Sequence, residues 1–415
     1  MNRRCLIVLL LLASHVTRGE AAGFSDKFRG WLRAIPGLGG GSGKDSGTKQ
    51  DTAAKSMPRV RLVPFTGGTG ASATKALRDE LLTSREFFVA GPDEKADYIL
   101  EGSSVGGRVT GVLRDGRSKE LFQRTYAAPG LDENLKAFSD DIIYTITGRP
   151  GLATSRIVFV SDKSGRRQVY VCNAEGGEVS QLTHDRHGAV SPTLSPDSSL
   201  VAFTCYRSGF PVVNLLDLHA GWERGVTDTP GSSFGAAFSP DGSRLALVMS
   251  FIGNPEIFVT DLGTNTAACV SDSVGAPSSP SWHPDGKQIV FANDDGDGPR
   301  LYVVEVPQKE GESSRLFRWR TGYHFCTDPE WSPDGRTIAF TTRKGGEWAV
   351  ATKPYPNGGA RLIQAGGAQH PSWSPNGRFI TYSQHGGLYV HDVRSGSRRQ
   401  ILAGFGRISE PRWMR

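Results

Sequence analysis

Three short runs have residue types and spacings that could do chemistry. Gly231-Ser-Ser-Phe-Gly235 matches the G-x-S-x-G of a hydrolase nucleophile elbow. That chemistry needs the serine on a sharp turn from strand to helix, inside a large α/β region. Here the run enters a strand ending at Phe238, and no region of that size lies outside the repeats described below. Gly39-Gly-Gly-Ser-Gly-Lys44 resembles a phosphate loop, but Asp45 stands where Ser or Thr belongs and no strand precedes it. Asn293-Asp-Asp-Gly-Asp-Gly298 resembles a calcium loop, yet it joins two strands and lacks the closing bidentate Glu. The first run reads as a chance match, the second as linker and the third as a polar hairpin turn. Nine histidines are dispersed, and no C-x-x-C pair marks a zinc site. The expectation is a protein that is not an enzyme, with no metal and no cofactor.

The elements that hold these runs come from an internal repeat. Five segments share one pattern: Pro192-Thr-Leu-Ser-Pro-Asp197, Ala236-Ala-Phe-Ser-Pro-Asp-Gly242, Pro280-Ser-Trp-His-Pro-Asp-Gly286, Pro329-Glu-Trp-Ser-Pro-Asp-Gly335 and Pro371-Ser-Trp-Ser-Pro-Asn-Gly377. Their second prolines are 44, 44, 49 and 42 residues apart. That period is the size of a four-stranded propeller blade. In the Ser-Pro-Asp-Gly core, Pro presets φ at the second turn position, while Asp and Gly suit the later ones. Each turn is followed by a short apolar strand, such as Leu245–Val248 or Ile338–Thr341, and then by a third strand and a weaker fourth. A sixth copy of the second strand, Ile157–Val160, has no Pro-x-Trp before it. A sixth Pro-x-Trp, Pro411–Trp413, has no second strand after it. If the last strand completes the first blade, six blades close and no long edge stays exposed. The predicted fold is an all-β six-bladed β-propeller over residues 151–415, with the strands that end at the repeat's aromatic lining the axis.

Residues 59–150 lack the turn and have another periodicity. A strand at Arg59–Phe65 is followed by a helix at Ala71–Ser84, with Ala76, Leu77, Leu81 and Leu82 on one side. Four further strands are expected, at Phe87–Ala90, Asp97–Glu101, Thr110–Arg114 and Leu121–Tyr126. A second helix at about 132–147 ends at a C-cap, Gly148. This is a small N-terminal α/β domain. Arg3 and Arg4 before the apolar run Leu6–Ala13 give residues 1–21 the layout of a secretory signal peptide. No later stretch reaches the roughly 20 apolar residues of a membrane-spanning helix.

Residues 22–58 form an amphipathic segment and a flexible linker. Phe24, Phe28, Trp31 and Leu32 fall on one helical stripe, followed by a Gly-, Ser- and Lys-rich tether. That stripe can dock on a second protein, on the chain's own α/β domain, or on a membrane surface. The remaining cysteines, Cys172, Cys205, Cys269 and Cys326, allow three pairings or none. The basic excess, 48 Lys and Arg against 42 Asp and Glu, is scattered singly and gives nucleic acid little support as a partner.

These features together resemble the TolB family, the exported propeller component of the Tol–Pal envelope system. The Pro-x-Trp-Ser-Pro-Asp-Gly repeats carry the resemblance. So does the junction Phe138-Ser-Asp-Asp-Ile-Ile-Tyr-Thr-Ile-Thr-Gly148, running through Ser155-Arg-Ile-Val-Phe159. The resemblance covers about residues 59–415. It implies a periplasmic adaptor whose propeller binds a Pal-type lipoprotein and whose N-terminal segment binds a TolA-type inner-membrane protein. The chain departs from the family pattern in the inserted residues 23–58, a shortened α/β domain, and a first repeat turn without glycine.

Six residues just before the repeat, on loops entering the inner strands, are expected to ring one mouth of the channel: Ser191, Gly235, Ser279, Asp328, His370 and Glu410. The alternatives are an envelope propeller with another protein or peptide ligand, or a peptidase-associated propeller. A metal-dependent lactonase-type propeller would need inward-facing Asp, Asn and Glu, where the inner strands carry Trp and Pro.

Overall fold

The computed structural model describes residues 57–226, 231–250, 253–309 and 312–414. The expected signal peptide, the amphipathic stripe of Phe24, Phe28, Trp31 and Leu32, and all but the end of the tether lie outside the described residues. Pro58–Arg415 forms one compact unit.

Its N-terminal part is a five-stranded sheet with two helices. The strands are β1 (Arg59–Leu62), β2 (Phe88–Ala90), β3 (Tyr98–Val105), β4 (Arg108–Asp115) and β5 (Glu120–Tyr126), in the order β2-β1-β3-β4-β5. Helices α1 (Gly70–Ser84) and α2 (Leu131–Thr147) pack on it through Ala73, Leu77, Leu81, Leu135, Phe138 and Ile142. Leu82, expected on the buried side of α1, is 52% exposed, and Ala73 takes its place in the core. The apolar stripe is therefore rotated toward Ala73–Leu77–Leu81, the i, i+4, i+8 row. Gly111 in β4 lies under the Phe138 ring, where a Cβ would come within 2.2 Å of it. Gly148 ends α2 at φ 70°, its N–H donating to Tyr144 O.

Six four-stranded antiparallel sheets follow. Their inner strands are Ala189–Leu194, Ser233–Phe238, Ala276–Trp282, Cys326–Trp331, Gln369–Trp373 and Ser409–Trp413. The last of these pairs with Arg156–Ser161, so the chain's C-terminal strand completes blade 1 and the other five number blades 2 to 6 in chain order. Trp413 secures the closure. Its N–H donates to Ser372 Oγ of blade 6 at 3.0 Å, and its indole N–H donates to Ser155 Oγ at 3.0 Å.

The repeat turn works as its residues dictate. In Ser239–Gly242 the Gly242 N–H donates to Ser239 O at 2.9 Å, Ser239 Oγ accepts the Arg244 N–H at 2.9 Å, and Gly242 sits at φ 74°. Where the first turn lacks glycine, Ser198 takes the same conformation at φ 59°. Cys172, Cys205 and Cys326 are buried, Cys269 is exposed, and all four thiols are free.

Several polar links fasten the α/β part to the propeller, among them Lys136–Glu178 at 3.8 Å and Arg394–Glu86 at 3.6 Å. Asp140 of α2 accepts the N–H groups of Ala153 at 2.8 Å and Thr154 at 2.9 Å on the connecting segment. Arg378 of blade 6 reaches the C-terminal end of α1, donating to Ser84 O at 3.1 Å and Arg85 O at 3.3 Å. It also pairs with Glu86 at 2.7 Å and Asp392 at 3.0 Å, with all three side chains buried. Carbonyls at a helix C-terminus carry partial negative charge and favour a cation there.

Candidate partner-binding site

Ser191, Gly235, Ser279, Asp328, His370 and Glu410 come to equivalent positions. Each lies inside its inner strand rather than on the loop before it, and each takes a left-handed φ between 48° and 62°. The register of every inner strand shifts there by one residue, as in the step from Phe234↔Val248 to Ala237↔Ala246. Five of the six precede a proline, which has no N–H to give the ladder, so a bulge is the local solution. Gly235 alone precedes alanine.

These residues meet around the axis. Glu410 accepts the Ser191 N–H at 2.5 Å and pairs with Arg167 at 2.5 Å. Ser279 Oγ donates to Asp328 Oδ1 at 3.2 Å, and His370 Nε2 lies 4.0 Å from Asp328 Oδ2. A Cβ on Gly235 would sit 3.7 Å from Ser279 N. The bulge amides of Gly235 and His370 donate to Thr204 Oγ1 at 3.3 Å and Thr341 Oγ1 at 2.9 Å on the preceding blades. The result is a collar of half-buried polar groups, with His370 the most buried of them.

Beneath the collar is a second ring that sequence reasoning missed, formed by the middle residue of each Pro-x-Trp triplet and of its equivalents Pro192–Leu194 and Ala236–Phe238. Thr193, Ala237, Ser281, Glu330, Ser372 and Arg412 line a cavity of about 110 Å³ together with the flanking prolines and aromatics. The residues at this position also fasten one blade to the next. Ser281 Oγ accepts Trp331 N–H at 3.2 Å, Glu330 Oε1 accepts Trp373 N–H at 2.8 Å, and Ser372 Oγ accepts Trp413 N–H at 3.0 Å. Glu330 also pairs with Arg412 at 3.3 Å, reaching past blade 6 to blade 1. The inner strands therefore do carry an inward carboxylate, contrary to expectation, and it is neutralised by an arginine. The variable middle letter of the repeat was the signal that could have disclosed this ring.

The other candidate runs are occupied structurally. Ser233 is buried on an inner strand, and its Oγ accepts the Val213 N–H at 3.0 Å. In the calcium-like run, Asp294 Oδ1 accepts the amides of Gly296 at 3.0 Å and Gly298 at 3.1 Å within a hairpin. Among the described residues no group of three His, Cys, Asp or Glu is placed to hold a metal. No helix among them is long and apolar enough to cross a membrane.

The fold and the collar define a closed propeller built on a Pro-x-Trp-Ser-Pro-Asp-Gly repeat, with an α/β part fastened to its last blade. Residues 144–415 match the family model described as the TolB beta propeller domain, and the chain belongs to that family. It is 37% identical over 126 residues to a protein TolB homolog of Chlorobium chlorochromatii, a stretch covering 29% of this chain and 28% of that one. It is 32% identical over 195 residues to the Tol-Pal system protein TolB of Cereibacter sphaeroides, covering 43% of this chain and 44% of that one. The matches thus span less than half the length of these relatives. The solved structure of TolB from Acinetobacter baumannii has the same fold, with a TM-score of 0.69 at 23% identity over 86% of this chain and 96% of that one.

Proposed function

We propose that this protein is a non-enzymatic adaptor of a Tol–Pal envelope assembly in the periplasm, holding a Pal-type lipoprotein at the axial collar. The collar carries the reading. Six equivalent positions, five of them strained non-glycine residues, are gathered at one place by a closed ring of blades. Backbone strain of this kind persists where surrounding structure enforces it, and it clusters at ligand-binding sites. A stiff polar ring also presents a partner with groups that need no reordering on binding. The family membership and the relatives named as Tol-Pal system proteins support the same assembly.

The N-terminal stripe of Phe24, Phe28, Trp31 and Leu32 is the proposed contact for a TolA-type inner-membrane protein. A helix of about a dozen residues is marginal alone in water and orders against a surface.

The test is binding of the purified full chain to the soluble domain of a Pal-type lipoprotein and, separately, to a TolA-type periplasmic domain. Asp328→Asn, which keeps size and removes charge, is expected to weaken lipoprotein binding by about 1–3 kcal/mol with little change in melting temperature. Phe28→Ala with Trp31→Ala is expected to abolish the second interaction and spare the first. Unchanged lipoprotein affinity in Asp328→Asn would move the interface off the collar. A double variant that keeps both proteins but loses liposome binding would assign the stripe to a membrane surface.

A further inference from the structure

His391 lies on the third strand of blade 6, Gly387–Asp392, and is 6% exposed, yet neither ring nitrogen has a hydrogen-bond partner. Tyr382, on the adjacent strand Phe379–Gln384, is fully buried, and its hydroxyl has no well-formed hydrogen bond although the Arg398 guanidinium lies near it. An orphaned buried polar group is costly, and native structures leave few of them. Two on one sheet face are a feature to explain.

Cross-strand register places both at the seam between blades 5 and 6. Ile380, His391 and Arg398 form a row across blade 6, and Ala339, Thr352 and Arg361 form a row across blade 5. The rows face each other, since Ala339, Ile380 and Tyr382 share one apolar cluster. The outer ends of the rows are therefore two arginines from different blades, both exposed. Neither has a carboxylate ion-pair partner among the described residues.

Arg398 is positioned. Its Nη1 donates to Gln384 Oε1 at 3.4 Å, and the Gln384 amide is itself held by Ala365 O at 3.0 Å and Gly366 O at 2.7 Å. Burial first, then Arg361 and Arg398, hold the His391 imidazole below its usual pKa, with Asp392 opposing. Asp392 is itself engaged by Arg378. Burial raises the Tyr382 pKa, and Arg398 pulls it down. Both groups thus feel Arg398, and the Tyr382 hydroxyl hydrogen and the His391 ring remain without an acceptor or donor of their own. A neutral imidazole and a phenol each offer one donor hydrogen, and each guanidinium offers a planar fork matched to two oxygens of an oxyanion.

We propose that Tyr382, His391, Arg361 and Arg398 form an oxyanion site at the outer end of the blade 5–6 seam, taking a phosphate-type group between one guanidinium from each blade. The site draws on the second, third and fourth strands, not on the inner strands that build the collar, and does not depend on the adaptor reading. Two charge-assisted forks with two neutral donors suit a tetrahedral group better than a carboxylate, which two arginines already saturate. The group can be free phosphate or the headgroup of an anionic lipid.

The test is titration of the full chain, with ring-labelled histidines followed by NMR, using inorganic phosphate at constant ionic strength and, separately, phosphatidylglycerol vesicles. Phosphatidylcholine vesicles and chloride serve as controls, and His391→Gln assigns the signal. The expected result is a saturable shift of the His391 ring signal with a raised pKa. The affinity should be about tenfold weaker in Arg361→Gln or Arg398→Gln, both surface changes that leave the melting temperature in place. Tyr382→Phe, which keeps the packing, should weaken it less. A shift with phosphate assigns a free anion, and a shift with the anionic vesicles alone assigns a headgroup. No saturable shift with either, an equal effect of chloride, or unchanged affinity in both arginine variants overturns the proposal.

Discussion

Ser191, Ser279, Asp328, His370 and Glu410 hold φ values of 48–55° immediately before a proline. An L residue in that region costs roughly 1–2 kcal/mol, and pre-proline sterics add to the cost. The Ser191 position isolates this cost, because its amide, rather than its side chain, makes the contact with Glu410. Ser191→Gly should therefore stabilise the protein by about 0.5–1 kcal/mol in chemical unfolding, the strain relieved exceeding the chain entropy that glycine adds. A loss of stability would mean that the bulge does not force the left-handed geometry. Glu410 is a different case. Its carboxylate serves Arg167 and the Ser191 amide at once, so charge reversal there would disturb the collar itself as well as any interface. Pro-x-Trp spacing made the six positions legible in the sequence. Their bulges were not, because one extra residue in a ladder leaves no periodic trace. The long-range pairs Arg167–Glu410 and Glu330–Arg412 were equally silent, since they join residues 243 and 82 positions apart.

At the scale of the strand, closure is the decisive feature, and it was legible because two orphaned repeat fragments at opposite ends of the propeller complement each other. What could not be read is how the fragment is locked. Trp413 donates both its N–H groups, one to blade 6 and one to the segment leading into blade 1, and stacks on Phe379 at 6.4 Å. Trp413→Ala should cost about 3–5 kcal/mol, the usual loss for a buried tryptophan. Deleting Ser409–Arg415 should do more, exposing the edge of Arg156–Ser161 and promoting aggregation at temperatures the intact chain tolerates. Calorimetry and light scattering check both. A truncated chain melting within a degree or two of the full one would show that the ring does not depend on its last strand. Within the α/β part, the rotation of the α1 stripe away from Leu82 has a simple cause: Ala76, Leu77, Leu81 and Leu82 span more than one face, and the sheet accepts only one.

Across the whole unit, the most buried of the polar links between the α/β part and the propeller is centred on one arginine. Arg378 is buried between Glu86 and Asp392 and closes the C-terminal end of α1. Burial alone would raise the Asp392 carboxyl, but Arg378 and the amides of Arg394 and Ser395 bring it below its usual value. A carboxyl depressed in the folded state stabilises above its unfolded pKa of about 3.9, and that contribution is lost as pH falls through the folded value. Arg378→Met removes the buried cation, leaving Asp392 without an ion-pair partner and Glu86 with only the half-exposed Arg394 at 3.6 Å, which should cost about 3–5 kcal/mol at neutral pH. Without the arginine, burial at Asp392 is opposed only by the Arg394 and Ser395 amides, so its pKa rises relative to the parent. The variant can then relieve its buried charge by taking up a proton on acidification, while the parent loses the ion pair it depended on. The two denaturant-unfolding curves should therefore converge as the pH is lowered through about 4 and below, and the variant should show separate transitions for the α/β part and the propeller at neutral pH. A stability gap independent of pH, or a single shared transition in the variant, would mean that apolar packing rather than this charge cluster joins the two parts.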